Sequence, residues 1–240
     1  MFAIFRKELH AFFNSLIAYV IIGFFLILTG LWVWVFPETN VLDGGYADLS
    51  SLFRLAPYVL MFLAPAITMG LLSEELKMGT LELLLTSPLT TIQIILGKYL
   101  ASLVIIASIL LFTSIYAISI YYLASPMGNI DIAGLIGSYI GLMLLSAVFL
   151  GIGLVASSFT QSQIVAFLIG TFFCFLLYQG FDAWTTLKTW EKYSLFISQL
   201  GILYHYESLS RGVIDLRDVL YFCSFSMLSI LITNLALSRR

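Results

Sequence analysis

Ser73-Glu74-Glu75-Leu76-Lys77-Met78-Gly79-Thr80-Leu81-Glu82-Leu83-Leu84-Leu85-Thr86-Ser87-Pro88 forms a charged island between two long apolar stretches. Charge is expensive in hydrocarbon, so an island flanked by spans lies at a membrane face or docks against a soluble partner. Carboxylates and a lysine around a run of leucines suit recognition, and no catalytic residue is expected among them. Little else in the chain offers chemistry. His10 and His205 are isolated, with no Cys or carboxylate at metal-ligand spacing, so each reads as a satisfied surface or interfacial histidine and no metal is expected. Cys174 and Cys223 sit within apolar runs and read as small hydrophobes. The phosphate-cradling G-x-x-x-x-G-K-[ST] loop occurs nowhere, so any ATP energy arrives from another polypeptide.

The island has its own local order. Gly79 permits a turn that a residue with a Cβ resists, Thr80 can cap a short helix, and Glu82 in its first turn suits the positive end of the dipole. Leu81, Leu83, Leu84 and Leu85 make this helix apolar, Pro88 stops it, and Thr90 with Gln93 reads as a capping box for the third span. So much leucine does not sit bare in water. It rests in the membrane interface or in a groove on a partner, two readings that the residues leave open.

The elements that position this island are membrane spans. With 61% hydrophobic and 10% charged residues and a mean hydropathy of +1.04, the chain lies outside the range of soluble domains, which run about 45–50% apolar and about 25% charged. A net charge of -2 gives no basic field, so nucleic acid is not an expected partner. About 20 apolar residues cross a bilayer core, and six stretches meet that measure or nearly do: about 15–36, 55–72, 94–124, 132–159, 163–181 and 219–237. Trp32, Trp34 and Phe36 form an aromatic belt at the end of the first, and Pro57 and Pro65 predict a bend in the second. Ser125 to Asn129 is a turn, Asp131 an N-cap for the fourth span, and Asp215 with Asp218 an N-cap and third-position acid for the sixth.

Residues 182–217 are apolar from Tyr193 to Tyr204, too short to cross, and rich in aromatics such as Trp184, Trp190 and Tyr206; they read as an outer interfacial or re-entrant segment. Residues 1–14 read as an amphipathic helix, either an anchor for the first span or a brace for a partner. Gly137 and Gly141 form a G-x-x-x-G that favours close packing within the chain over a dimer seam. The expected fold is all-α, one transmembrane domain over 1–240, with six spans and the 74–90 segment on the cytoplasmic side. Arg6, Lys7, Lys77, Lys98, Arg239 and Arg240 then lie inside against Arg54, Lys188, Lys192, Arg211 and Arg217 outside, with both termini cytoplasmic. The first span lacks a small-residue cleavage site and is expected to stay in the mature protein. Almost no charge falls within the spans, which argues against a proton- or sodium-coupled carrier.

Ser73-Glu74-Glu75, Gly79-Thr80-Leu81-Glu82, Leu84-Leu85, Pro88 and then Leu96-Gly97-Lys98 together resemble the signature of the ABC-2 family of ABC transporter membrane subunits. The six-span plan and the N-terminal helix are similar too. More narrowly, Phe36, Ala47-Asp48-Leu49, Leu55-Ala56-Pro57 and Pro65-Ala66-Ile67-Thr68-Met69 resemble the gliding-motility-associated permease subunits known as GldF. The resemblance implies that residues 80–86 are a coupling helix that inserts into a cleft of an ABC ATPase subunit. Glu74, Glu75, Gly79, Thr80, Leu81, Glu82, Leu84 and Leu85 would make that contact. It also implies a second membrane subunit, identical or homologous, ATP and Mg bound by the ATPase rather than this chain, and a bacterial inner membrane surrounded by lipid. Similar proteins often carry a basic residue where this chain has Gly70 and another where it has Leu76. The expected function is ATP-coupled transport; the alternative is a non-transporting module that relays ATP-driven motion to an outer machine.

Overall fold

A computed structural model describes residues 1–42, 47–85, 89–185 and 194–238. Thr86, Pro88, Trp190 and Tyr193, and the bases Lys188, Lys192, Arg239 and Arg240, lie outside the described residues. Among the described residues the regular structure is entirely helical. In order it comprises α1 (Phe2–Phe13), α2 (Leu16–Trp34), α3 (Ser50–Met78), α4 (Thr80–Leu85), α5 (Thr91–Leu123) and α6 (Ile132–Phe159). Next come α7 (Gln163–Phe175), which passes through a π-helical turn (Leu176–Gly180) into α8 (Phe181–Thr185), and α9 (Ser194–Leu200), α10 (Ile202–Ser210) and α11 (Leu216–Ser238). Among the described residues six helices are long and apolar enough to cross a membrane: α2, α3, α5, α6, the continuous α7–α8 and α11.

Local signals set most helix starts. Ser15 accepts from Ile17 N, and the Thr90–Gln93 box forms with both of its bonds, at 3.2 and 3.3 Å. Asp131 Oδ1 accepts from Gly134 N at 2.9 Å, and Asp215 Oδ1 from Arg217 N at 2.9 Å. Asp218, expected as the acid that completes this last cap, is turned to His205 and Ser208 instead. The second span differs most from its expected limits. Its helix, α3, starts at Ser50 and continues past Leu72 to Met78, with both prolines inside it. Polarity ends the hydrocarbon-crossing part of a helix, but its backbone hydrogen bonds run on until a residue such as Gly79 breaks them.

The six spans are not equivalent. In α6 and α3, 72% and 61% of the most apolar stretch is buried, against no more than 33% in the other four, so these two form the centre of the bundle. Glycines let them and their neighbours approach. A Cβ on Gly137 would stand 2.5 Å from Gly212 O, and one on Gly141 2.7 Å from Leu209 Cβ; a Cβ on Gly153 would strike Thr68 Oγ1 and lie 3.2 Å from Pro65 Cα. The small residues of α6 are thus taken up by packing within the chain.

At the end of the bundle away from the termini, α9 and α10 meet at Gly201 and neither is long enough to cross. Ile202, Tyr206 and Leu209 of α10 are buried. Tyr206 donates its hydroxyl to Phe53 O at 2.7 Å, and burial pushes its pKa well above the ordinary phenol value, which keeps the donor proton in place. At the other end α1 lies on the start of α5, where Gly97 gives room for Ile4: a Cβ there would come within 3.2 Å of it.

Candidate functional site

The charged island begins inside α3. Glu74, Glu75 and Lys77 occupy its last turns, where Lys77 suits the negative end of the dipole. Gly79, at φ 71, supplies the left-handed residue that closes the helix, its N–H returning to Glu75 O. Thr80 is helical from its own position and directs its hydroxyl to Glu75 O at 3.5 Å, so it closes α3 rather than opening α4. The six residues of α4 come at once after Gly79, with Glu82 in the first turn and Leu85 as the last.

Side-chain orientation divides the predicted docking residues. Glu74, Gly79 and Glu82 are exposed, Thr80 and Leu84 half-buried. Leu81 is 4% exposed and belongs to the main apolar core, so it holds α4 against the bundle instead of reaching outward. Met78, at 60% exposed, offers apolar surface at the corner that the sequence reading did not single out.

Glu75 points inward as well. It is 7% exposed and its Oε1 lies 2.7 Å from Lys98 Nζ on α5, itself 1% exposed. Lys98 also donates to Glu8 Oε1 of α1 at 2.9 Å and to Leu71 O of α3 at 2.8 Å. Three acceptors use the three donors of an ammonium group. Lys7 stands 3.5 Å from Glu75 and 3.7 Å from Glu8, so two cations face two carboxylates and the cluster is neutral. Lys98 is paired and fully hydrogen-bonded, the condition under which a buried charge is tolerated, whereas Glu75 Oε2 is buried without a hydrogen-bond partner among the described residues; the cluster ties α1, α3 and α5 together directly above the α3–α4 corner. The carboxylate expected at the approach to a partner is therefore part of the frame that holds the corner.

Gly70 lies one turn before Glu74. A Cβ at that position would be 3.7 Å from Glu74 Oε2 and 3.5 Å from Gln163 Nε2, so a basic side chain there would meet an acid; in this chain the cation that holds α3 comes from α5. A cleft of about 590 Å³ opens here, bordered by Lys7, Glu8, Gly70, Glu74, Lys98 and Gln163.

A second fastening lies just above. Ser157 of α6 donates to Met69 O at 2.9 Å and accepts from Leu72 N at 3.1 Å and Ser73 N at 3.0 Å. One donor and two acceptor positions are all that a serine hydroxyl has. Replacing Ser157 with Ala removes all three bonds in a buried site, and unfolding in detergent is expected to show a loss of about 1–3 kcal/mol. A change below about 0.5 kcal/mol, the usual size of a neutral surface substitution, would contradict this fastening.

Sequence reasoning took Lys98 as part of a family motif but did not place it at the site, read Glu8 only as part of the polar face of the amphipathic 1–14 helix, and missed Ser157 entirely. The available signal was a lone lysine two turns inside an otherwise apolar helix, which in a membrane must find a partner.

Residues 3–238 match the family model described as ABC-2 family transporter protein. The chain belongs to the ABC-2 transporter family. No curated protein matches it. As an ABC-2 membrane protein it is a multi-pass permease of ABC-type transport, and the family implies an ABC ATPase partner. Permeases of this family typically lack an ATPase site of their own.

Proposed function

We propose that this permease takes up ATP-driven motion from a separate ATPase subunit through the α3–α4 corner. What carries the reading is the corner itself: a short leucine-rich helix that follows directly on the end of α3, an end tied to α1, α5 and α6, with Met78, Glu74 and Glu82 turned outward. A lever must be stiff to transmit displacement, and Leu81 packing, the Lys98 cluster and the Ser157 bonds stiffen this one from three sides. ATP and Mg belong to the ATPase subunit, and a second membrane subunit, the same or homologous, completes the pathway. Both termini and α4 face the cytoplasm of a bacterium, and the chain resides in its inner membrane. The narrower assignment, to the machinery of gliding motility, rests on the likeness of Phe36, Ala47-Asp48-Leu49 and Pro65-Ala66-Ile67-Thr68-Met69 to GldF.

The test is copurification of the tagged full chain from native membranes, with mass spectrometry and ATP hydrolysis of what accompanies it. Met78→Asp and Glu82→Lys are expected to reduce the retained ATPase about tenfold or more, equivalent to about 1.4 kcal/mol of docking energy, while the melting of the permease stays unchanged. Undiminished ATPase in both variants would overturn the docking role of α4. Hydrolysis coupled to no flux of any lipid or solute in proteoliposomes would favour a relay of motion over transport.

A further inference from the structure

At the opposite end of the bundle, His205 of α10 contacts two acceptors at once. Its Nδ1 lies 2.7 Å from Asp218 Oδ1 of α11, and its Nε2 lies 2.9 Å from Gln199 O of α9. A neutral imidazole carries one N–H, so one of these contacts would set a nitrogen lone pair against an oxygen lone pair; the imidazolium donates to both. Three groups lie against the ring. Asp218, 7% exposed, presents a carboxylate whose other oxygen accepts from Ser208 Oγ. Gln199 is in the last turn of α9, where carbonyls carry the negative end of the helix dipole. The Tyr221 ring of α11 lies nearly parallel to the imidazole, centroids 4.0 Å apart and planes at 22°, and its electron-rich face attracts a cation.

The remaining charged and titratable neighbours do not replace Asp218. Tyr204 meets the imidazole edge-on at 5.4 Å. Glu207 and Arg211, both exposed, pair with each other at 3.9 Å, and Asp215 accepts from the backbone of Arg217. All five line the same cavity of about 660 Å³. The constellation is not a hydrolytic triad either: the Ser208 hydroxyl is spent on the carboxylate and His205 Nε2 on a backbone carbonyl, so no nucleophile meets a base.

Tyr221 strengthens the case by its other end. Its hydroxyl donates to Leu200 O at 2.8 Å, so the last two carbonyls of α9 are held from outside that helix, one by His205 and one by Tyr221. A seven-residue helix has no stability alone and keeps its place through such contacts.

We propose that His205 is a proton-binding site that clamps the end of α9 to α10 and α11, and that loss of its proton to water releases α9. This goes beyond the coupling reading and does not depend on it. The contacts are complete when the imidazole is protonated, at low pH, and one of them is lost as pH rises.

The experiment is amide hydrogen exchange of the full chain in detergent at about pH 5 and about pH 8, the ends of the range over which imidazole changes charge, with times scaled for the intrinsic rate. Peptides covering α9 are expected to exchange about tenfold faster at the higher pH, a shift of about 1.4 kcal/mol in local opening. Peptides of α6 should not change. His205→Gln is expected to leave α9 open at both pH values, and Asp218→Asn to weaken the pH dependence. Equal protection of wild-type α9 at both pH values, or the same pH dependence in His205→Gln, would overturn the proposal. Nitrogen NMR of the wild-type histidines serves where a variant fails to fold. Two protonated ring nitrogens on His205 while α9 is protected support the clamp, and a neutral tautomer in that state refutes it.

Discussion

Lys98→Met should cost about 3–5 kcal/mol of folding stability, the range measured when one partner of a buried ion pair is removed. Methionine matches the length of the lysine stem and fills the same space, so the loss reports charge and not a cavity. The reason is what remains: Glu75 and Glu8 would share a buried site without the ammonium that bonds both of them and Leu71 O. Lys7, at 3.5 Å from Glu75, takes up part of the deficit, which places the effect toward the lower end. Neutralising the acids as well, in Lys98→Met with Glu8→Gln and Glu75→Gln, should recover most of the stability, because burying a charge is the costly step. Lys98→Arg is not a mild change here, since a planar guanidinium cannot direct donors at three acceptors around one point. Unfolding in detergent checks all of these. A Lys98→Met protein within about 0.5 kcal/mol of wild type, the range of a neutral surface change, would mean that the cluster does not hold the corner.

Gly137→Ala and Gly153→Ala form the second large effect, expected at about 1–3 kcal/mol each despite adding a single methyl group. The new Cβ at 137 would stand 2.5 Å from the carbonyl oxygen of Gly212, and the one at 153 would meet Pro65 Cα at 3.2 Å besides striking Thr68 Oγ1. Backbone atoms cannot turn aside as a long side chain does, so whole helices must separate: α6 from the end of α10 in one case, α6 from α3 in the other. Gly23→Ala on α2 is the control. Nothing lies within 4 Å of a Cβ there, and alanine improves a helix interior by up to about 1 kcal/mol over glycine. Equal melting of Gly137→Ala, Gly153→Ala and Gly23→Ala would show that the α6 glycines are not packing sites.

Sequence and structure informed different parts of the candidate site. The span count, the Gly79 corner, the Thr90–Gln93 box and the Asp131 cap were legible because each depends on residues within a few positions of one another or on an apolar run long enough to count. The same local reasoning failed where two locally valid roles competed. Asp218 suited the first turn of α11, yet its carboxylate bonds His205, because packing α10 against α11 offered an imidazole partner that the helix start alone did not. Leu81 and Leu84 look alike in a leucine run, and only the way α4 lies on α3 turns Leu81 into the core.

By itself, then, the amino-acid sequence determined that this is a helical membrane chain with six spans and a charged, leucine-rich corner between the second and third. Periodicity and hydropathy are properties of neighbouring residues, and neighbours are what a sequence displays. Only the tertiary structure decided which charges face a partner and which hold the frame. Lys98 meets an acid 90 positions before it and another 23 positions before it, and Ser157 clasps backbone 84 and 85 positions away. Such pairs exist only because helices cross, and the crossing points depend on where α6 and its neighbours carry glycine in place of a side chain.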